Sequence, residues 1–229
     1  MSPRLLTRLI AAIFRVISSP FIRYEFRGGA CIRERDGWIF SANHRSVFDF
    51  PHAVIALAHY GKYGRIMIAS EFWDQRHYRW ALTAINAIPV FRQTDPKGSF
   101  AEAVDAVRLG DNVCIMPEGG IHWDPDQPLH MGRFKSGVSR LAVDAEAPVL
   151  PIALVGGDRL WVKRSRAPKL NPFRRKVVLI RIADEPLWLS GDDHRANADK
   201  IREVQSALLR EATRDLQAVD PTYLPMIEP

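Results

Sequence analysis

Two residues five positions apart, His44 and Asp49, have the chemistry to activate a hydroxyl. They lie in Ser41-Ala42-Asn43-His44-Arg45-Ser46-Val47-Phe48-Asp49, after the apolar run Trp38-Ile39-Phe40 and before a segment, residues 50–57, that can be helical. A histidine where a strand ends and a helix begins sits on exposed backbone held by rigid elements on both sides. The partial positive charge of a helix start disfavours imidazolium, while a nearby carboxylate favours it. A histidine between these influences can rest neutral and still take up a proton during a reaction. Ser46, with Asp49 three residues on, has the spacing of a capping box. Each residue taken singly also has a plainer reading, Asp49 as a cap only and His44 as a polar loop residue.

A second polar group follows the apolar run Val113-Cys114-Ile115-Met116, in Pro117-Glu118-Gly119-Gly120. Proline ends the ladder, Glu118 is left at the tip, and the glycines let another molecule come close to the backbone. A tight turn carrying a surface glutamate would look the same.

Placing these groups side by side requires strands that end near residues 40 and 116. Strands are expected at residues 24–26, 38–40, 65–69, 87–92, 113–116, 147–155 and 177–182, and helices at 50–57, 71–82, 100–109, from Phe134-Lys135-Ser136-Gly137 onward, and 197–219. Alternating strands and helices, with polar motifs at strand ends, argue for a single α/β domain. Its central sheet is expected to be largely parallel and flanked by helices, with the site along the strand C-termini.

Residues 1–22 have a different character. At 100° per residue, Leu5, Leu6, Leu9, Ile10, Ile13, Phe14, Val16 and Ile17 share one broad face, opposite Arg4, Arg8 and Arg15. This is a basic amphipathic helix, ended near Pro20, too short and too charged to span a bilayer. It is expected to lie in the membrane interface, its arginines on anionic headgroups; the alternative is a helix docked on the domain's own core. A net charge of +6 favours anionic partners. Nucleic-acid binding would account for the charge but not for the helix, so no nucleic-acid partner is expected. Two cysteines, Cys31 and Cys114, give no disulfide framework and no metal cluster, which suits a reducing compartment, and no secretory cleavage signal is evident.

Four stretches in order resemble the lysophosphatidate acyltransferase family of glycerolipid acyltransferases, whose signature is NHx4D. Asn43-His44 through Asp49 is similar to its first block and Ile88-Pro89-Val90-Phe91-Arg92 to its second. Met116-Pro117-Glu118-Gly119 is similar to its third and Val149-Leu150-Pro151-Ile152-Ala153-Leu154 to its fourth, with Phe134-Lys135-Ser136-Gly137 matching a spacer; the likeness covers about residues 23–190. It implies transfer of a fatty acyl group from an acyl thioester to a hydroxyl of a lysophosphatidate-like lipid in phospholipid synthesis. Acyl-CoA or acyl carrier protein would be co-substrate, with no cofactor or metal. His44 would be the general base and Asp49 its orienting partner. Arg92 would hold the acceptor's anionic headgroup, Glu118 would help place its hydroxyls, and Gly119 and Lys135 would also lie on the substrate side. The resemblance divides the chain into a membrane helix, 1–22, and an acyltransferase domain, 23–220. The enzyme is expected to be peripheral and monotopic, on the cytoplasmic face of an anionic bilayer.

The chain departs from the pattern where the family's Thr/Ser-Arg follows Glu-Gly. Here Gly120-Ile121 stands instead, followed by His122-Trp123, so one headgroup contact is missing; Arg133, Lys135 and His122 are the candidates to replace it. Phe91 stands where an acidic residue usually precedes Arg92, and Asn86 where a glycine opens the second block. Two rivals remain: an acyltransferase for another lipid acceptor, a glycolipid or amino-lipid, and a non-catalytic membrane-binding module.

Overall fold

The computed structural model describes residues 3–91, 96–122, 124, 127, 129–161 and 166–223. Seven strands, β1 (Ile22–Gly28), β2 (Ile39–Ala42), β3 (Gly64–Ala69), β4 (Ile88–Val90), β5 (Asn112–Ile115), β6 (Val149–Val155) and β7 (Lys176–Ile182), form one sheet in the order β1-β7-β6-β2-β5-β3-β4. All pairs are parallel except β6 with β7. The continuous apolar runs take the middle: β2 and β6 are buried along their whole length, as strands covered on both faces must be. Register then levels the strand ends, with Ser41 opposite Ile115 on one side and Ala42 opposite Ile152 on the other. Whatever follows β2, β5 and β6 is therefore delivered to one edge.

Helices cover the two faces: α1 (Pro3–Ser18), α2 (Asp49–His59), α3 (Arg76–Ala84), α4 (Pro96–Arg108), α5 (Gly137–Asp144) and α6 (His194–Val219). The long α6 packs along β6 and β7. Its buried Gln205 accepts from Ser41 Oγ at 2.7 Å and donates to the Ile152 carbonyl at 3.1 Å, so one amide bridges β2 and β6.

The single helix expected over residues 71–82 is broken. A 3-10 turn, Ser70–Asp74, is followed by an extended Gln75 before α3 begins. The reason is packing. Trp73 and Leu82 lie against one small cluster with Ile85 and Ala87, and nine residues of continuous helix would place them on opposite sides.

The N-terminal helix is docked on the domain along one side only. It docks on α2 by a narrow edge, with Thr7 and Ala11 buried and Ile10 packed on the Leu82–Ile85 cluster. Arg8 reaches the Gly61 carbonyl, and Arg4 lies 4.0 Å from Asp111. The apolar side is left outside: Leu5, Leu9, Ile13, Val16 and Ile17 are exposed, Val16 by 71%. Among the described residues, no helix is long and apolar enough to cross a membrane.

Candidate active site

His44 stands just past the end of β2, on a loop pinned from three directions. The buried side chain of Asn43 donates to the Leu154 carbonyl and accepts from the Leu154 N–H, at 2.9 and 2.7 Å, which fastens the loop to β6. Ser46 Oγ donates to the Trp161 carbonyl at 2.7 Å, and the Val47 N–H donates to the same oxygen at 3.1 Å. One oxygen of Asp49, Oδ2, accepts from His44 Nδ1 at 3.0 Å, from the Arg45 N–H at 2.5 Å and from the Ser46 N–H at 2.7 Å.

The reciprocal bonds that the Ser46–Asp49 spacing predicts are made, but in the turn ahead of the helix, which starts only at Asp49. Ser46 Oγ accepts from the Phe48 N–H at 3.1 Å, and the Asp49 carboxylate accepts from the Ser46 N–H at 2.7 Å. The same carboxylate curls back over the loop to reach His44.

Its geometry decides how His44 can act. A carboxylate only accepts, so Nδ1 carries the ring proton and Nε2 is left as the proton acceptor. The side chain is 23% exposed against 1% for Asp49, so the acceptor edge is reachable while its partner is sealed. Gly157, in the turn after β6, closes the other side. A Cβ built there would stand 3.2 Å from both Asp49 Oδ1 and Ser46 Cβ.

Glu118 follows β5 and is brought directly beneath this loop. Its Oε1 accepts from the His44 N–H at 2.9 Å and its Oε2 from the Gly132 N–H at 3.0 Å. Burial pushes its carboxyl above the ordinary range, while the two N–H donors pull it back down. Where the resemblance implies a contact with acceptor hydroxyls, the carboxylate here braces the backbone of His44 against a second loop. Both buried cysteines are excluded as nucleophiles at this edge: burial pushes the Cys114 thiol up to about 12 and raises Cys31 too.

Around Glu118 the loop changes character. Gly119 sits at φ +69°, and a Cβ there would be 2.7 Å from Lys135 Cε and Nζ, so Lys135 lies folded over it. The His122 N–H donates to the His44 carbonyl at 2.7 Å, and its ring packs so closely on Gly132 that a Cβ would come within 2.3 Å. Lys135, Arg133 and His122 are all exposed on this edge. Arg92, expected at the headgroup, lies outside the described residues. The structure thus joins His44, Asp49, Glu118, Gly119 and Lys135. Sequence reasoning missed Gly157 and the Trp161 carbonyl; the Gly156-Gly157 pair closing an apolar strand was the available signal for the first, and a main-chain acceptor leaves none.

A seven-stranded, mostly parallel sheet thus carries a His–Asp pair past one central strand and a glutamate past its neighbour. A family model described as Acyltransferase matches residues 23–155, and the chain belongs to that family. A chloroplastic 1-acyl-sn-glycerol-3-phosphate acyltransferase of Brassica napus is 24% identical over 156 residues, which is 66% of this chain and 43% of that protein. The chain thus matches less than half the length of that curated relative. The crystal structure of the 1-acyl-sn-glycerophosphate (LPA) acyltransferase PlsC from Thermotoga maritima superimposes with a TM-score of 0.68 at 19% sequence identity. That superposition covers 93% of this chain and 78% of the other, and it shares the fold.

Proposed function

We propose that this protein is a peripheral O-acyltransferase of glycerolipid synthesis, moving a fatty acyl group from an acyl thioester to a lysophospholipid hydroxyl. The observation that carries the reading is the His44 Nδ1–Asp49 Oδ2 hydrogen bond at 3.0 Å, on a side chain that is still 23% exposed, which leaves Nε2 as the ring's proton acceptor. An alcohol is a poor nucleophile until its proton leaves, and Nε2 is placed to take it as the hydroxyl oxygen attacks the thioester carbonyl. Asp49 then stabilises the imidazolium, which returns the proton to the departing thiolate. The oxyanion needs N–H donors that are still uncommitted. From His44 to Asp49 every N–H has an acceptor, whereas those of Gly120 and Ile121 have none among the described residues, which makes them the candidates.

The exposed apolar side of α1 supports a peripheral position, with its hydrophobic side chains entering the interface. Residues 159–176 are rich in Lys and Arg, and the last of them meets the chain just past α1: the Lys176 N–H bonds the Phe21 carbonyl, and Phe173 projects 94% exposed beside Arg174. Two of these cations are spent internally, Arg159 on Asp220 at 2.7 Å and Lys176 on the Arg159 carbonyl at 2.6 Å. Lys163 and Arg164 lie outside the described residues. A second reading, an acceptor other than lysophosphatidate, is favoured by Gly120-Ile121, which puts no cation where the family pattern has one.

The test is acyl transfer by purified protein from acyl-CoA, and separately from acyl carrier protein, to lysophosphatidate and to neutral or glycosylated lysolipids in vesicles. Wild type should transfer to at least one acceptor, and His44→Ala should lose about 10²–10⁴ in rate while staying folded. Near-normal turnover by folded His44→Ala would refute the reading.

A further inference from the structure

His52 lies one turn beyond Asp49 on α2 and is sealed from solvent, at 1% exposure. Its Nδ1 is 3.1 Å from Tyr24 Oη, the two rings meeting edge to face with centroids 5.5 Å apart. Its Nε2 is buried with no hydrogen-bond partner among the described residues. A buried polar atom left in that condition calls for an explanation.

The surroundings supply one. The point where a Gly157 Cβ would stand is 3.2 Å from Asp49 Oδ1 and 3.4 Å from His52 Cδ2, the ring carbon next to Nε2. The edge of the imidazole away from Tyr24 and the second carboxylate oxygen of Asp49 therefore border one small space, which only a glycine leaves open. Ser18 Oγ, at the end of α1, lies 3.3 Å from the Arg15 carbonyl and 3.5 Å from Tyr24 Oη, so it closes the far side of the tyrosine hydroxyl. The Asp49 charge acts on the His52 ring and favours the tautomer that turns its N–H toward the carboxylate, so the single ring proton resides on Nε2 and Nδ1 accepts from Tyr24 Oη.

We infer that His52, aligned by Tyr24, is a positioning residue whose Nε2–H edge faces Asp49 and moderates that carboxylate's hold on His44. Asp49 works through two oxygens of unequal duty: Oδ2 grips the loop and His44, while Oδ1 faces this neutral dipole. A neutral neighbour serves that purpose and a cation would not, since a buried positive charge beside Asp49 would compete with the imidazolium formed at His44. Burial holds His52 neutral, pushing it down to about 4 against the opposing pull of Asp49. The other groups that face it are Tyr24 from β1, the apolar ring of Phe48 and, from the turn after β6, the uncharged Gly157. Arg15 acts on Tyr24, and the Arg45 charge acts on Glu118 and Asp158.

The inference rests on the His44–Asp49 pair being the reactive one, and its test is chosen to succeed or fail without substrate. The His44 ring titration is followed by NMR in wild type, His52→Phe, His52→Gln and Tyr24→Phe, each checked for folding by circular dichroism. Removing the N–H edge strengthens the field of Asp49 on His44, so in His52→Phe the His44 midpoint should move up by about half a pH unit or more. His52→Gln, which offers an N–H at similar reach, should keep the wild-type midpoint, and Tyr24→Phe should show a smaller rise. The acid limb of kcat/KM should move with the midpoints. Should His52→Phe not fold, the Tyr24→Phe rise alone decides. Unchanged midpoints in the folded variants would reduce His52 to a packing residue and overturn the inference, whatever acceptor the enzyme uses.

Discussion

From His44 to Asp49, every main-chain N–H has an acceptor: Glu118, Asp49 twice, the Trp161 carbonyl, the Ser46 hydroxyl and the Ser46 carbonyl. Past β5, the four residues from Gly119 to His122 present two glycines, an aliphatic side chain and an exposed imidazole, and the Gly120 and Ile121 N–H groups have no partner among the described residues. Both loops leave the same edge of the same sheet, yet one is fully committed internally and the other is open. On the proposed mechanism the committed loop holds the base at a fixed angle and the open one faces the acceptor; it is in the open loop that the sequence departs from the pattern it resembles.

The sharpest way to break this comparison is to ask whether the committed loop acts as one unit. Asp49→Ala should cost nearly as much as His44→Ala, about 10²–10⁴ in rate, and the double variant should be scarcely worse than either single one. Rate losses that multiply would mean that the two residues act separately. The next effect concerns stability. Unfolded His52 takes a proton below its ordinary pKa of 6.5, whereas the folded protein refuses one until about 4. Stability is therefore full above 6.5 and falls as pH drops towards 4, by up to roughly 3 kcal/mol. Urea unfolding of wild type and His52→Gln between pH 7 and pH 4 checks this, because the variant should lose that part of the slope.

Smaller changes belong to the open loop. Ile121→Arg should improve the use of lysophosphatidate about ten- to hundred-fold relative to other acceptors, and Arg92→Ala should weaken all anionic acceptors by a similar factor. Specificity constants for each acceptor decide the matter; equal values before and after both substitutions would move the headgroup site elsewhere, with Lys135 and Arg133 the first to examine. The mildest effect is at α1. Leu9→Glu with Ile13→Glu should reduce sedimentation with anionic vesicles, partially, because the basic residues of 159–176 remain. Sedimentation equal to wild type would make the helix purely structural.

Periodicity and apolar runs made most of the architecture legible: the strands ending at Phe40 and Met116 were visible, and with them the meeting of His44 and Glu118. What escaped was decided by distant partners. A helix through Gln75 is locally reasonable, and only the shared cluster of Trp73 and Leu82 breaks it. The spacing of Ser46 and Asp49 shows their mutual bonds, but not that the serine hydroxyl also donates to the Trp161 carbonyl, far along the chain. The two acceptor duties of Glu118, to His44 and Gly132, are likewise invisible until the loops are assembled. His52 stood out as the polar residue in Phe50-Pro51-His52-Ala53-Val54-Ile55, a signal that went unused.

The order of the sheet also bears on how the chain comes into being. β1 pairs with β7, Ile22 opposite Lys176, so the first of the seven strands has no neighbour until the seventh has left the ribosome. Such a distant pairing is slow to form and is reached late in synthesis. Throughout that interval α1, with Leu5, Leu9, Ile13, Val16 and Ile17 turned outward, precedes an unpaired strand. A nearby bilayer would then meet the helix before the sheet closes, and the nascent chain would complete its folding already tethered to the surface on which it is proposed to work.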